Sequence, residues 1–397
     1  MRRHFALLAA AALFAAALAA VAASAAPKST GGTKRAAAHH VLIGIQDDAN
    51  TLYGDPDETF PVLRQLRPEV LRVNLIWGGT AYGVAKRKPA NAADPEDPAY
   101  NWALYDRLDR YASQYGIKLV FTFLFTPPWA NGGRARTVAP TTTAGWNALR
   151  GFANAAAKRY SGSFVPADDE QGTPLPAVRL WTAWNEPNNP IWLSPQYRRV
   201  GGRWVIASAA AYAKICNAVY SGVHASGLSG EKVACGVTGP RGNNSPRAFR
   251  PSVDPLSFMR ALKAAGLKRF DVYAHNPYYG KPVETPAFRP RGNAVQLGNI
   301  DVLLAQLSSL WGPKHLWITE YAYQTYPQDK LFGVSWAKQA LYLRQAFELA
   351  RNNRRIDMLI WFMLKDDTNI GTGWQSGLVT ARWQKKPAFS AFQRLPR

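Results

Sequence analysis

From position 39 onward, short runs of β-branched and aromatic residues alternate with longer stretches whose apolar positions recur every three to four residues. The strand pattern falls at 41–46, 70–77, 117–125, 178–184, 232–237, 270–275, 315–319 and 356–363, and these runs are apolar at nearly every position. A strand without polar alternation is buried on both faces, as in a parallel sheet covered by helices. Helical periodicity occupies 101–114, 142–160, 207–224, 255–265, 299–310 and 335–352. Strict alternation of the two patterns requires crossover connections, and crossovers make the strands parallel. Eight such units predict a closed (β/α)8 TIM barrel. An open doubly wound sheet is the competitor, but no G-x-G-x-x-G follows the run at 41–46 and no phosphate-binding Gly-rich turn occurs elsewhere. No internal repeat or Pro/Ser linker interrupts residues 39–397, which therefore read as one α/β domain.

The first 38 residues carry a different pattern. Met1-Arg2-Arg3-His4 is a basic start, an apolar run extends from Phe5 to Ala22, and Ala23-Ser24-Ala25 is an A-x-A cleavage site, so residues 1–25 read as a signal peptide. A retained anchor is less favoured, because the small side chains are weakly apolar and no stop-transfer flank follows. The expectation is a secreted protein without stable membrane insertion. Residues 26–38, rich in Ala, Lys, Gly, Ser and Thr, read as a flexible leader. The two cysteines exclude a disulfide scaffold and a four-cysteine zinc site, and no metal or cofactor is expected. Cys216 and Cys235 are either one disulfide, which export permits, or two buried thiols.

In a barrel of this kind the chemistry sits at the C-terminal ends of the strands. The fourth predicted strand ends Trp184-Asn185-Glu186-Pro187-Asn188, and the seventh ends Thr319-Glu320-Tyr321. Each strand thus delivers a carboxylate to the mouth of the barrel. Arg72 lies inside the apolar second strand, where a charge requires a partner.

These residues resemble the glycoside hydrolases of clan A. Within the clan, Asn185-Glu186-Pro187-Asn188, the Thr126-Pro127-Pro128-Trp129 run and the closing Gly377-Leu378 with Lys386-Pro387-Ala388-Phe389 resemble families 39 and 5 most. The resemblance covers the chain from about His39. It implies a retaining hydrolase of O-glycosidic, β-linked substrates, with Glu186 as general acid/base and Glu320 as nucleophile. Double displacement needs one carboxyl group protonated and the other ionised, about 5 Å apart. The resemblance further implies that Arg72 is the cation beside the nucleophile, that Tyr278 hydrogen-bonds it, and that Asn185 binds the sugar 2-hydroxyl. It implies that Trp361 floors the sugar subsite. His275 either shapes the site or is a satisfied core histidine. Trp129, with Trp77, Trp192 and Trp374, could stack on pyranose faces or simply pack. One departure is plain: many family 5 members place a histidine where this chain has Pro127-Pro128-Trp129.

Charge narrows the substrate. The formal net charge is +22, or +20 once Arg2 and Arg3 leave with the signal. The segments after strands three to six carry Arg134 and Arg136; Arg198, Arg199 and Arg203; Arg241, Arg247 and Arg250; and Lys281, Arg289 and Arg291, against Glu284 alone. Such a field gathers anions, so a carbohydrate that is itself anionic is one reading, and solvated arginines are the other. Nucleic acid is not an expected partner, since no nucleic-acid module is recognisable. A barrel that binds cell-wall glycan without cleaving it would not need both glutamates. An inverting enzyme would draw its base from Asp47, Asp48, Asp366 or Asp367, with the carboxyls farther apart.

Overall fold

The computed structural model describes residues 39–397, so the expected signal peptide and leader lie outside the described residues. Its strands are β1 (Leu42–Gln46), β2 (Val70–Ile76), β3 (Lys118–Leu124), β4 (Leu180–Ala183), β5 (Tyr197–Val200), β6 (Arg203–Ile206), β7 (Lys232–Thr238), β8 (Val272–His275), β9 (Leu316–Tyr321) and β10 (Ile356–Phe362). Eight of them close into a barrel in the order β1-β10-β9-β8-β7-β4-β3-β2, and every neighbouring pair is parallel. These are the eight strands that the apolar runs predict.

The six expected helices form at Ala103–Gln114, Thr143–Arg159, Ala207–His224, Pro255–Ala264, Ile300–Trp311 and Trp336–Arg351. Side-chain caps start several of them: Thr142 accepts from Gly145 N, Asp254 from Ser257 N and Ser335 from Lys338 N. Two further helices longer than a single turn, Pro56–Leu66 and Pro387–Gln393, are not expected from periodicity. Both begin with proline. At the first helical position a proline starts a helix, because its missing N–H has no intrahelical partner to lose.

The inward face of the barrel is layered by the two-residue period of its strands. Val70, Val120, Ala234, Val272, Trp317, Met358 and Ile360 form an apolar cluster within it. Two residues further along their strands stand Arg72, Thr122, Thr319 and Phe362. Apart from Phe362, the interior thus changes from apolar to polar over one pleat. Alternate residues such as Trp181, Ile318, Leu359 and Trp361 belong to the larger core cluster between sheet and helices.

The connection after β4 carries an antiparallel ribbon, β5 paired with β6. Its turn residues Gly201 and Gly202 have φ of 53° and 78°, the backbone of a tight hairpin turn that glycine adopts without strain. Gln196 clamps the base: its amide donates to the carbonyls of Pro187 and Leu193, and its Oε1 accepts from Ser208. Cys216 and Cys235 form a disulfide, with Cα atoms 6.0 Å apart, joining the helix Ala207–His224 to β7. Among the described residues no helix is long and apolar enough to cross a membrane.

Candidate active site

The chain leaves β4 through strained backbone. Trp184 and Glu186 have φ of 67° and 34°, and Phe125 and Val237, at the ends of β3 and β7, have 64° and 44°. Left-handed backbone is unfavourable for side chains of this size and persists only where surrounding contacts enforce it. Those contacts are present. Glu186 N donates to Val237 O at 2.8 Å, and Trp184 Nε1 donates to Trp192 O at 2.9 Å. Asn188 fastens the same turn to the end of β7, donating to Val253 O at 2.8 Å and accepting from Gly239 N at 2.8 Å.

Two bulges re-aim the remaining groups. Against β10, β9 holds one extra residue between Ile318 and Tyr321, so the consecutive side chains of Thr319 and Glu320 both reach interior partners. Against β8, β7 holds one extra residue between Cys235 and Thr238. Gly236 sits in that bulge at φ 94°, where a Cβ would fall 2.4 Å from the Tyr273 ring.

Arg72 is fully buried and is the hub of the site. Its Nη1 donates to Glu320 Oε1 at 2.5 Å and to the Gln46 amide oxygen, its Nη2 to Asn185 Oδ1 at 3.0 Å, and its Nε to Thr122 Oγ1 at 2.9 Å. The other oxygen of Glu320 accepts from the Tyr278 hydroxyl at 3.1 Å. Burial and the neighbouring Glu320 push the Tyr278 hydroxyl well above the usual tyrosine range, so it remains a donor.

Glu186 has different company. Its Oε1 accepts from Asn276 Nδ2 at 3.3 Å and its Oε2 from Asn189 Nδ2 at 3.2 Å, both neutral amides. Asn276 is oriented by Thr319, whose hydroxyl donates to its Oδ1 at 2.7 Å. Desolvation, then the charge of Glu320, pushes the Glu186 carboxyl up to about 7. Arg72, two asparagines and their hydrogen bonds oppose that rise only in part.

Glu186 and Glu320 line one cavity of about 390 Å³, with Tyr278, Arg241, Phe362 and Trp374 among its walls. Arg72, Asn185, Glu186, Tyr278 and Glu320 are thereby brought together. Three other expected residues are placed elsewhere. Trp361 is fully buried with its Nε1 donating to Ser376 O at 3.0 Å; β10 turns Phe362, one residue on, into the cavity. Trp129 packs edge-on against Trp77 with ring centroids 5.4 Å apart and does not line the cavity. His275 is buried and satisfied: its Nε2 donates to Val295 O at 3.1 Å, which leaves Nδ1 to accept from Thr238 at 2.8 Å. Burial lowers its pKa to about 4.

The aspartates that an inverting base would require are engaged outside this cavity. Asp47 accepts from Asn50 and Lys365 N, Asp48 from Asn74, Asp366 from Lys386 and Asp367 from Trp374 N. Asn276, Asn189, Gln46 and Phe362 are site residues that the sequence reading does not single out. Among the described residues no group of three or more His, Cys, Asp or Glu is arranged to hold a metal ion.

No family model and no curated protein matches the chain. Solved structures do. A family 39 glycoside hydrolase from Bacteroides cellulosilyticus WH2 superposes with a TM-score of 0.58 at 19% identity, over 89% of this chain and 63% of that one. A glucosidase from Croceicoccus marinus gives 0.61 at 14% identity, over 89% and 67%. Fungal β-1,4-galactanases give 0.57 at 14% identity, over 89% and 99%. The barrel fold is that of glycoside hydrolases. This chain spans less than two thirds of the length of the family 39 protein.

Proposed function

We propose that the protein is an exported, retaining glycoside hydrolase that cleaves β-linked glycans by double displacement. The observation that carries this reading is the unequal support of two glutamates on one cavity. Glu320 is ion-paired with a buried guanidinium, whereas Glu186 is held by neutral amides and pushed up to about 7. Pairs of carboxyl groups whose environments differ in this sense divide into acid and nucleophile.

In the first step a Glu320 oxygen attacks the anomeric carbon while the Glu186 proton passes to the glycosidic oxygen, and the bond between that carbon and oxygen breaks. In the second, the Glu186 carboxylate takes a proton from water, the hydroxyl adds to the anomeric carbon, and the ester to Glu320 breaks. Arg72 and Tyr278 orient the nucleophile, and Asn185, itself held by Arg72, faces the sugar 2-hydroxyl. Phe362 and Trp374 offer apolar faces to the sugar rings. The absence of any aspartate from the described cavity wall favours retention over inversion. Export rests on the basic, apolar and A-x-A segments of residues 1–25, and the disulfide accords with an oxidising compartment.

The test is release of reducing ends from a panel of β-linked polysaccharides, with proton NMR of the first-formed anomer. Retained configuration supports the reading. An inverted first product overturns the mechanism, and tight binding without cleavage would make the barrel a lectin. Glu186→Ala should keep its first step on substrates with good leaving groups, and azide should then yield a glycosyl azide of retained configuration.

A further inference from the structure

Eleven basic residues cluster in the loops after the third to sixth barrel strands, yet most are placed away from the carboxyl pair: Arg289, for example, pairs with Asp301. Arg241, just after β7, is different. Among the described residues it is the cation on the wall of the cavity that holds Glu186 and Glu320. Its Nη2 donates to the carbonyls of Tyr279 at 2.6 Å and Tyr278 at 3.3 Å, which fixes the plane of the guanidinium. A guanidinium carries five N–H groups, so Nη1 and Nε retain donors that these two carbonyls do not use.

The setting is shaped for that plane. A Cβ at position 280 would lie 3.1 Å from Arg241 Nη1, 3.2 Å from Nη2 and 3.0 Å from Glu284 Oε2, so Gly280 leaves the space in which the guanidinium rests. Glu284 supplies negative charge nearby, and its Oε2 is held by Gly280 N at 2.6 Å and Gln296 Nε2 at 2.8 Å. Glu186 also acts on Arg241 electrostatically, which places the guanidinium on the side of the proposed acid.

We propose that Arg241 is a specificity-determining residue that binds a sugar carboxylate beside the scissile bond, so that the substrate is a uronate-bearing glycan. The inference rests on the hydrolase reading and deepens it. A guanidinium with unused donors gives a sugar carboxylate a charge-assisted hydrogen bond, which a neutral hydroxyl cannot match. The exposed Arg198, Arg199, Arg203, Arg247 and Arg250 on neighbouring loops supply a field of the same sign, which raises the local concentration of a polyanion.

The test compares glucuronoxylan, hyaluronan and β-linked polymannuronate, each in its acidic form and after chemical reduction of the carboxyl groups, which preserves linkage and removes charge. Reducing-end release gives kcat/KM, and affinity electrophoresis gives binding. Wild type should favour the acidic form of at least one polymer, with a preference that shrinks as salt rises. Arg241→Gln should lower the acidic-to-reduced ratio about 10- to 100-fold, the range for loss of a charge-assisted hydrogen bond. Arg241→Lys should fall between, since charge survives and the guanidinium held by the Tyr278 and Tyr279 carbonyls does not. Gly280→Ala should lower the same ratio by displacing the guanidinium while leaving its charge. A merely structural arginine would depress both forms equally. Wild type that cuts reduced polymers as fast as acidic ones, or an Arg241→Gln ratio that does not move, overturns the inference and leaves the hydrolase reading standing. If no polymer is cut in either form, the hydrolase reading is judged by the wider panel of β-linked polysaccharides. Electrophoresis then decides the arginine alone, and equal retardation of wild type and Arg241→Gln by acidic polymers overturns its role.

Discussion

The lower and upper layers of the barrel interior are built by the same strands, one pleat apart, and differ in every chemical respect. Below, Val70, Val120, Trp317, Met358 and Ile360 fill space with apolar side chains. Above, Arg72, Thr122, Thr319 and Glu320 fill it with a hydrogen-bonded network. The lower layer tolerates change as any core does, through volume and cavity terms. The upper layer is intolerant in another way, because each buried polar group left unpaired costs its desolvation.

Substitutions sharpen the contrast. The largest expected effect is Glu320→Ala, which should abolish turnover of β-glycosides while circular dichroism shows the fold retained. Glu186→Ala should follow, with kcat on poor leaving groups reduced about 10²- to 10⁴-fold, the usual contribution of a positioned acid. Arg72→Met should lower both activity and unfolding free energy, the latter by about 3–5 kcal/mol, since it strands Glu320 in a buried position. Ile360→Ala should cost about 2–5 kcal/mol in denaturant unfolding while the folded fraction keeps its kcat. If Ile360→Ala instead removes activity as Arg72→Met does, the two layers are not separable.

Proton linkage gives a finer test. Glu186 is raised from 4.5 to about 7, so between those values the unfolded chain has lost the proton that the folded one keeps. Stability therefore falls as pH rises through that window, and turnover falls as pH rises through about 7. Glu186→Gln should remove the first effect, raising Tm relative to wild type more at pH 8 than at pH 4. The smallest expected change is Trp374→Ala, which trims one apolar wall and should raise KM with little effect on kcat.

The parts legible in the sequence are those with a short-range signature. A parallel strand buried on both faces announces itself as an apolar run, which is why all eight barrel strands are visible before the fold is known. Glu186, Glu320 and Arg72 stand out as charges at or within such runs. The sugar platform does so only in part: Trp192 and Trp374 line the cavity as aromatics near strand ends, but on β10 the face decides, and counting by twos from Met358 and Ile360 leads to Phe362 and away from Trp361. Asn276 and Asn189 were hidden for another reason. Their importance lies in what they touch across 90 and 3 residues of chain, and an asparagine in a loop has many commoner uses. The ribbon at Tyr197–Ile206 escapes the barrel pattern because only its end residues Tyr197 and Ile206 pack against the core.

That ribbon has an engineering consequence. Because Gln196 seals its root against Pro187, Leu193 and Ser208, the stretch beyond is an appendage to a finished barrel. A graft trimmed to a short turn, or swapped for a longer arm, would change the appendage while the scaffold beneath went on folding as before.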